Sequence, residues 1–500
     1  MAAKLYIQVC LPLRLDFLPW YSTREEVRIG QRVSVHFARR AYVGVVVSIG
    51  GQPDVAAVYA IDSAETGLAD ISEEELRLWE FVSSYYMCTL GEVYKAAYTA
   101  GKLRFEQTTA RIAARKKAAP AVEPKAFQEA IDFGDKPVLL RGTDRVPYYL
   151  DEIRRTLASG RHVLILEPET DFGFSLRDAL SRALRDQLMF YGATSGQKEK
   201  REVMAAVRGG AGPVAVIGVR STVFLPWQNL GLVIVDEEQD ASFKQNEQVP
   251  HYNGRDVAAM LARIHGARLI LGSSCPSLES LSNCLSGKYE MVRVGEVLPE
   301  VEIIDIPAER RKRGMVGNYS RRALEEIAAL PADALVTIVR CYQTEDDAAA
   351  ELKEVLPGRD PQLLTPAAAR KSSSHSALTL VLQADSLFDR TDFRADEKAL
   401  QMLCSIRAHT DKLIVQCGAA AHPVYRALAG DRAAQDAAIA DLLSERKTYK
   451  LPPFTRLVDI HDKHGLVKRE VLQRDSKLAA RKAELKLKYG ALYAFDVDPL

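Results

Sequence analysis

No stretch of the sequence is long and apolar enough to suggest a membrane span. Of 500 residues, 47% are hydrophobic, yet the longest apolar runs, residues 42–49 and 230–235, fall far short of the roughly 18–20 that a spanning helix needs. A charge excess is missing too. Lys plus Arg number 67 against 66 for Asp plus Glu, a formal +1, so bulk charge gives no argument for a polyanionic partner and only local clusters can. The seven cysteines, Cys10, Cys88, Cys275, Cys284, Cys341, Cys404 and Cys417, contain no C-x-x-C pair. That excludes paired-cysteine zinc and a disulfide framework, and leaves reduced thiols packed as small hydrophobes. The N-terminus has one Lys4 and a short run cut by Pro12, without the order of a signal peptide. The expectation is a cytoplasmic chain with no membrane partner and no zinc.

At about 150 residues per domain the length leaves room for roughly three or four domains. The first hundred residues pair Val-rich strand patterns (5–11, 32–37, 42–49 and 55–61) with a helix opened by the capping box of Ser72 and Glu75. A basic, alanine-rich tract, 106–131, is the candidate linker. From 132 to 298, buried-strand runs at 137–140, 163–166, 213–217, 230–235 and 268–272 alternate with helical stretches, the mark of a parallel sheet covered by helices. A less regular α/β region follows over 299–418, with strands at 301–306, 335–339 and 378–383, a helix at 320–330 and an apolar-poor loop at 365–376. A C-terminal domain over 419–500 holds an alanine-rich helix near 432–446, a short strand after Pro452-Pro453-Phe454 and a lysine-rich final helix. The fold class is α/β: a β-rich N-terminal domain, a small α+β C-terminal domain and, between them, two lobes that through the motifs at 218–222, 230–239 and 271–277 resemble RecA-like helicase lobes, the second degenerate.

The sharpest local signal is Leu230-Gly231-Leu232-Val233-Ile234-Val235-Asp236-Glu237-Glu238-Gln239. A buried β-branched run ending in adjacent carboxylates sets acids at the C-terminal edge of a parallel sheet, where open α/β folds bind ligands. In nucleotide-driven motors the first acid holds Mg²⁺ and the second orients the attacking water, which makes Asp236 and Glu237 the candidate catalytic pair. Acids ending a strand can equally be a solvated turn. Here, though, Gly218-Val219-Arg220-Ser221-Thr222 precedes them and Leu271-Gly272-Ser273-Ser274-Cys275-Pro276-Ser277 follows.

Three motifs in this order resemble the first lobe of a superfamily-two helicase, and more narrowly the primosomal protein N prime family of bacterial replication-restart helicases. The N-terminal Leu11-Pro12-Leu13, Asp16-Phe17, Gly30-Gln31-Arg32-Val33, Phe37-Ala38-Arg39-Arg40 and Leu90-Gly91-Glu92-Val93 are similar to that family's 3′-DNA-end-binding domain. Asp392-Phe393-Arg394-Ala395 and Pro452-Pro453-Phe454-Thr455-Arg456-Leu457 resemble two later landmarks. The resemblance implies ATP and Mg²⁺ as cofactors, DNA as substrate and primosome proteins as partners.

The departures decide what is expected of this chain. In place of the family's phosphate loop stands Leu139-Leu140-Arg141-Gly142-Thr143-Asp144-Arg145-Val146-Pro147, without the lysine that reaches the β- and γ-phosphates. Pro147 removes a donor and Asp144 repels an anion, leaving Gly142, Thr143 and Arg145 as a degenerate nucleotide-binding set. The family's arginine motif is matched only by Cys404-Ser405-Ile406-Arg407-Ala408-His409, and its eight-cysteine zinc module is missing. The loss of several such parts predicts no useful hydrolysis, so Asp236 and Glu237 read as vestigial. In the 3′-end pocket Asp16 matches the family's aspartate while Leu15, Ala38 and Ala56 replace the other three positions; Asp16 as a cap of its own turn is the competing reading. Arg39, Arg40, Arg115, Lys116 and Lys117, with the basic stretches 310–313 and 463–488, are candidate phosphate contacts. The expected function is a DNA-binding replication-restart protein for forked or 3′-ended DNA, without ATPase or helicase activity. Two alternatives stay open: residual ATP hydrolysis through Arg145, and a non-catalytic partner of an intact helicase.

Overall fold

The protein is described from a computed structural model, which covers residues 4–55, 57–98, 136–168, 175–210, 212–295, 298–341, 351–352, 354–370, 372, 374–388, 392–474, 478–490 and 493–499. The expected linker 106–131, with Arg115, Lys116 and Lys117, and pocket position Ala56 lie outside them. The architecture is mixed α/β, a RecA-like helicase-type fold with accessory domains.

At the N-terminal end a six-stranded sheet is built mainly from Leu5–Cys10, Trp20–Thr23, Arg32–Phe37 and Arg40–Gly50. Alternation along these strands sends Ile7, Val9, Val33 and Val35 into one apolar core. The fourth expected strand, 55–61, shrinks to Tyr59–Ala60, because none of its described residues is buried. The helix Glu73–Tyr85 starts at Ser72, whose hydroxyl accepts from the Glu75 amide while the Glu75 carboxylate accepts from the Ser72 amide. This is the reciprocal cap expected from the sequence. A second capping box, Thr89 with Glu92, opens the helix Leu90–Ala97. A Cβ on Gly91 would stand 2.1 Å from the Leu13 carbonyl oxygen and 2.3 Å from that of Leu11. The Leu90-Gly91-Glu92 signature therefore records a close crossing of helix and chain.

The first large sheet has seven strands, all parallel, in the order Glu290–Arg293, Val138–Arg141, Arg268–Ser273, Leu230–Asp236, His162–Leu166, Ala215–Gly218, Leu188–Tyr191. Helices cover both faces, so the inner strands are apolar throughout. A second parallel sheet orders Glu300–Asp305, Thr410–Cys417, Ser376–Leu382, Val336–Arg340 and Gln362–Leu364. The segment 365–376, expected as a loop, contains the short helix Pro366–Arg370; Ala369 is buried against the second-lobe core, and that contact overrides the low apolar content.

The C-terminal region is a three-stranded antiparallel sheet, Thr455–Asp462, Gly465–Gln473 and Ala494–Val497, with the helix Leu478–Tyr489. Its Val458, Ile460 and Phe495 join one apolar cluster with Trp79 and Tyr94 of the N-terminal region and Leu139 and Val233 of the first lobe. The two lobes meet through the buried Glu397, which accepts from the Leu278 amide at 2.9 Å and pairs with Arg446 at 2.6 Å. Arg141 and Arg293 of the first lobe both bind Asp436, at 2.6 Å each.

The crossing at Gly91 yields a direct expectation. Gly91→Ala should destabilise the N-terminal domain by about 1–3 kcal/mol, the usual cost of overpacking, read as a lowered urea midpoint. An unchanged midpoint would mean the helix has room to move away from residues 11–13.

Candidate functional site: a collapsed nucleotide cleft

The parallel register places Asp236 beside Gly272, and Ser273 beside Arg141, at the C-terminal edge of the first sheet. Ligands bind at this edge in open α/β folds. Here it is filled by the chain's own side chains. Arg145, buried at the start of the helix Val146–Ala158, reaches back under the strand ends. Its Nε donates to Asp236 Oδ1 at 2.9 Å, and its other nitrogens donate to Glu237 Oε1 and the Gly142 carbonyl. Tyr149 adds a hydroxyl that donates to the same Asp236 oxygen at 2.7 Å. Gln239 donates to the second Glu237 oxygen, also at 2.7 Å.

Two glycines make this packing feasible. A Cβ on Gly272 would lie 1.6 Å from the Tyr149 hydroxyl, so the absence of a side chain there admits the tyrosine. Gly142, at φ +142°, would bring a Cβ within 1.8 Å of the Val294 carbonyl. The loop 142–145 is thus pressed against the neighbouring edge, with Thr143 and Asp144 turned to solvent. Glu237 itself sits at φ +49°, a left-handed conformation costing of order 1–3 kcal/mol outside glycine and held in place by Arg145 and Gln239. Burial pushes its carboxyl above the ordinary range, against the pull of Arg145.

The Mg²⁺ and ATP that the helicase fold implies do not fit these residues. The cation position between the carboxylates is taken by a guanidinium, and the turn supplies neither a lysine nor a run of free inward amides. The sequence reading had Arg145 as a stand-in for the phosphate-binding lysine; its donors are instead directed to Asp236, Glu237 and Gly142. Tyr149 was missed, since a tyrosine one helical turn beyond Arg145 looks like ordinary core. Glu238 was missed as well: buried, it accepts from the Ser277 amide, the Ser277 and Ser280 hydroxyls and Arg255, tying the acid run to the following motif. Among the described residues no group of three or more His, Cys, Asp or Glu is arranged to hold a metal ion.

The other candidates lie elsewhere. Arg39 and Arg40 are exposed at the tip of the hairpin joining Arg32–Phe37 to Arg40–Gly50, with Ala38 and Arg39 both at positive φ. Asp16 lies on the N-terminal domain with its carboxylate paired to Lys486 of the last helix, a contact between residues 470 positions apart. Much of the basic stretch 463–488 is likewise engaged internally: Arg469 binds Asp459 through two bonds, Arg481 binds Glu470, and Lys482 donates to carbonyls of Ser83 and Cys88. Residues 463–469 of the same stretch are nevertheless exposed. Tyr86 is buried, and the partly buried Tyr85 carries the Arg456 guanidinium 4.2 Å from its ring centroid. A cavity of about 990 Å³ opens beside them, where the N-terminal domain, both lobes and the C-terminal region meet.

Two separate parallel sheets, the first with acids at a strand end, are consistent with a RecA-like helicase-type fold. Comparison with known proteins narrows this. Residues 8–99 match the 3′DNA-binding domain (3′BD) family. The chain is 29% identical over 322 residues to the replication restart protein PriA of Rickettsia prowazekii (strain Madrid E), covering 62% of this chain and 49% of that protein. It is 32% identical over 232 residues to PriA of Bacillus subtilis (strain 168), covering 43% and 28%. The chain thus spans about half the length of the first of these curated relatives. Among solved structures, RecG bound to a three-way DNA junction aligns with 71% of this chain and 47% of its own at 13% identity and a TM-score of 0.42. Over part of its length the chain is thus similar to replication restart proteins named PriA. No helix among the described residues is long and apolar enough to cross a membrane.

Removing the guanidinium exposes its role. Arg145→Ala leaves two carboxylates in a buried cleft without their cation, and should cost about 3–5 kcal/mol of stability. The sign with pH follows from Glu237. Its carboxyl is already held above the ordinary range, so the folded state keeps the proton longer, and stability from this group falls as pH rises through the raised value. Without Arg145 that fall should steepen, making the variant's deficit larger at pH 8 than at pH 5 in urea titrations. An equal deficit at both values would mean the acids find another counter-charge.

Proposed function

We propose that the chain is a DNA-binding replication-restart protein that recognises forked or 3′-ended DNA and neither hydrolyses ATP nor unwinds duplex. The observation that carries the second half is the Arg145 guanidinium seated between Asp236 and Glu237. A motor needs Mg²⁺ on the first acid and a free second acid facing water, and here Asp236 Oδ1 and Glu237 Oε1 are both engaged by the Arg145 guanidinium. The first half is supported by the match of residues 8–99 to a 3′DNA-binding domain and by the similarity to PriA proteins. The exposed Arg39 and Arg40, together with the exposed 310–313 tract on the second lobe, supply phosphate contacts without sequence reading.

Steady-state ATPase assays with forked DNA should therefore show no turnover near one per second, the low end of ordinary enzymes, and no strand separation. DNA-stimulated turnover at that rate would overturn the non-catalytic reading. Fluorescence anisotropy should show forked DNA bound more tightly than blunt duplex of equal length, with affinity falling steeply as salt rises. Equal affinities would leave only nonspecific attraction.

One contact favours a second reading, in which the N-terminal domain serves as a partner surface for an intact helicase. Lys486 neutralises Asp16, the residue that would accept a 3′-hydroxyl. Oligonucleotides ending in 3′-hydroxyl and 3′-phosphate should then bind alike. A preference of about tenfold, 1.4 kcal/mol, for the hydroxyl would show instead that Asp16 leaves Lys486 to read the end, and the partner reading would fall.

A further inference from the structure

The C-terminal sheet ends on an open edge. Its strands run in the order Gly465–Gln473, Thr455–Asp462, Ala494–Val497, so Gly465–Gln473 is paired on one side only. Among the described residues no backbone hydrogen bond reaches its other side. An outer strand presents a row of unpaired amides and carbonyls, which is a template for a further strand. Three apolar side chains on it stand in solvent: Leu466 is 55%, Val467 48% and Val471 54% exposed. Neither the nucleotide cleft nor the basic hairpin tip uses any of them.

The occupant that fits is written in the strand itself. Leu466-Val467-Lys468-Arg469-Glu470-Val471-Leu472 reads the same in both directions about Arg469, with one charge inverted. When two copies run antiparallel about a two-fold axis through Arg469, Leu466 faces Leu472, Val467 faces Val471 and Lys468 faces Glu470. Opposed apolar side chains and opposite charges are the contacts that stabilise an antiparallel pair, and a two-fold contact between identical chains has to be self-complementary in this way. Only the axis sets like charges against each other. There each Arg469 is already neutralised by Asp459, through bonds of 2.6 and 2.8 Å. A lysine on an outer strand ordinarily discourages a second chain. Lys468, half exposed and 3.4 Å from its own Glu470, instead meets a carboxylate across the axis. A bulge leaves Val467 without a partner on Thr455–Asp462, which confines the new ladder to a few residues around Arg469.

We propose that the chain associates with a second copy of itself, antiparallel, through the free edge of Gly465–Gln473. The contact is small. One strand pair falls below the roughly 1,200 Å² of a stable standard interface, so the dissociation constant is about 10–100 µM and the pair separates on dilution. The association needs no nucleotide, metal or DNA, and no residue of the Arg145 cleft takes part in it.

Sedimentation velocity of the full chain from about 1 to about 200 µM, a range that brackets this constant, should show monomer passing into dimer. Lys468→Glu sets acid against acid and should weaken the association at least about tenfold. Cysteine trapping reads the register. Val467→Cys and Val471→Cys, both at exposed positions, should join in a disulfide when the two variants are mixed under mild oxidation, because directly opposed Cβ atoms lie about 4.5–5.5 Å apart. Neither variant should link to itself through the new cysteine, since the same residue on the two copies then lies on opposite sides of the axis; peptide mass spectrometry identifies the 467–471 link. A chain that stays monomeric at about 200 µM overturns the proposal and leaves the edge to an extended segment of another protein. A dimer that Lys468→Glu leaves as tight as the wild type overturns it too, as does self-linking of either cysteine variant equal to that of the mixture. Should Lys468→Glu fail to fold, the cysteine pair decides.

Discussion

The guanidinium of Arg145 is the fixed point around which the first lobe's functional edge is organised. It draws together the end of the central strand at Asp236, the strained residue Glu237, the turn at Gly142 and, through the shared Asp236 oxygen, Tyr149. Two carboxylates side by side at the edge of a buried sheet need a counter-charge, because an unpaired ion there carries a desolvation cost of several kcal/mol. A motor supplies that charge transiently, with a metal and its nucleotide. Here the counter-charge is Arg145, at the N-cap of the following helix, and the turn before it lies so close to the neighbouring edge that a Cβ on Gly142 would meet the Val294 carbonyl.

The same logic runs through the rest of the molecule. Basic side chains that could face a nucleic acid are repeatedly turned inward to hold domains together: Lys486 onto Asp16, Lys482 onto the carbonyls of Ser83 and Cys88, Arg446 onto Glu397 and Arg141 onto Asp436. Of these, the Arg446–Glu397 pair is buried on both sides and is costly to break from one of them. Exposed basic side chains among the described residues include the Arg39–Arg40 hairpin tip and the 310–313 tract, where Arg313 pairs with Glu325.

Much of the fold was legible because buried parallel strands write themselves as continuous apolar runs. The runs at 163–166, 230–235 and 268–272 each correspond to a strand within a residue or two, and Ser72 with Glu75 marked its helix start to the residue. The strands Leu188–Tyr191 and Glu290–Arg293 were not legible. Both are edge strands, with exposed Phe190 in one and partly exposed side chains throughout the other, so neither carries a full apolar run. At the site, the position of Asp236 followed from the strand pattern. The turn of Arg145 toward it did not, because an arginine three residues past a glycine has the same spelling whether it faces solvent, phosphate or carboxylate. The pairing of Asp16 with Lys486 was beyond reach for the same reason, being set by how the last helix packs against the helix Glu73–Tyr85.

Nucleotide affinity tests the central claim most directly. In calorimetric titration of the wild-type chain with a non-hydrolysable ATP analogue and excess magnesium, a cleft filled by Arg145 predicts no saturable binding tighter than about 1 mM, equivalent to −4.1 kcal/mol. One-to-one binding in the micromolar range would mean that the guanidinium yields its two carboxylates to the metal and the cleft opens, and the account would be contradicted.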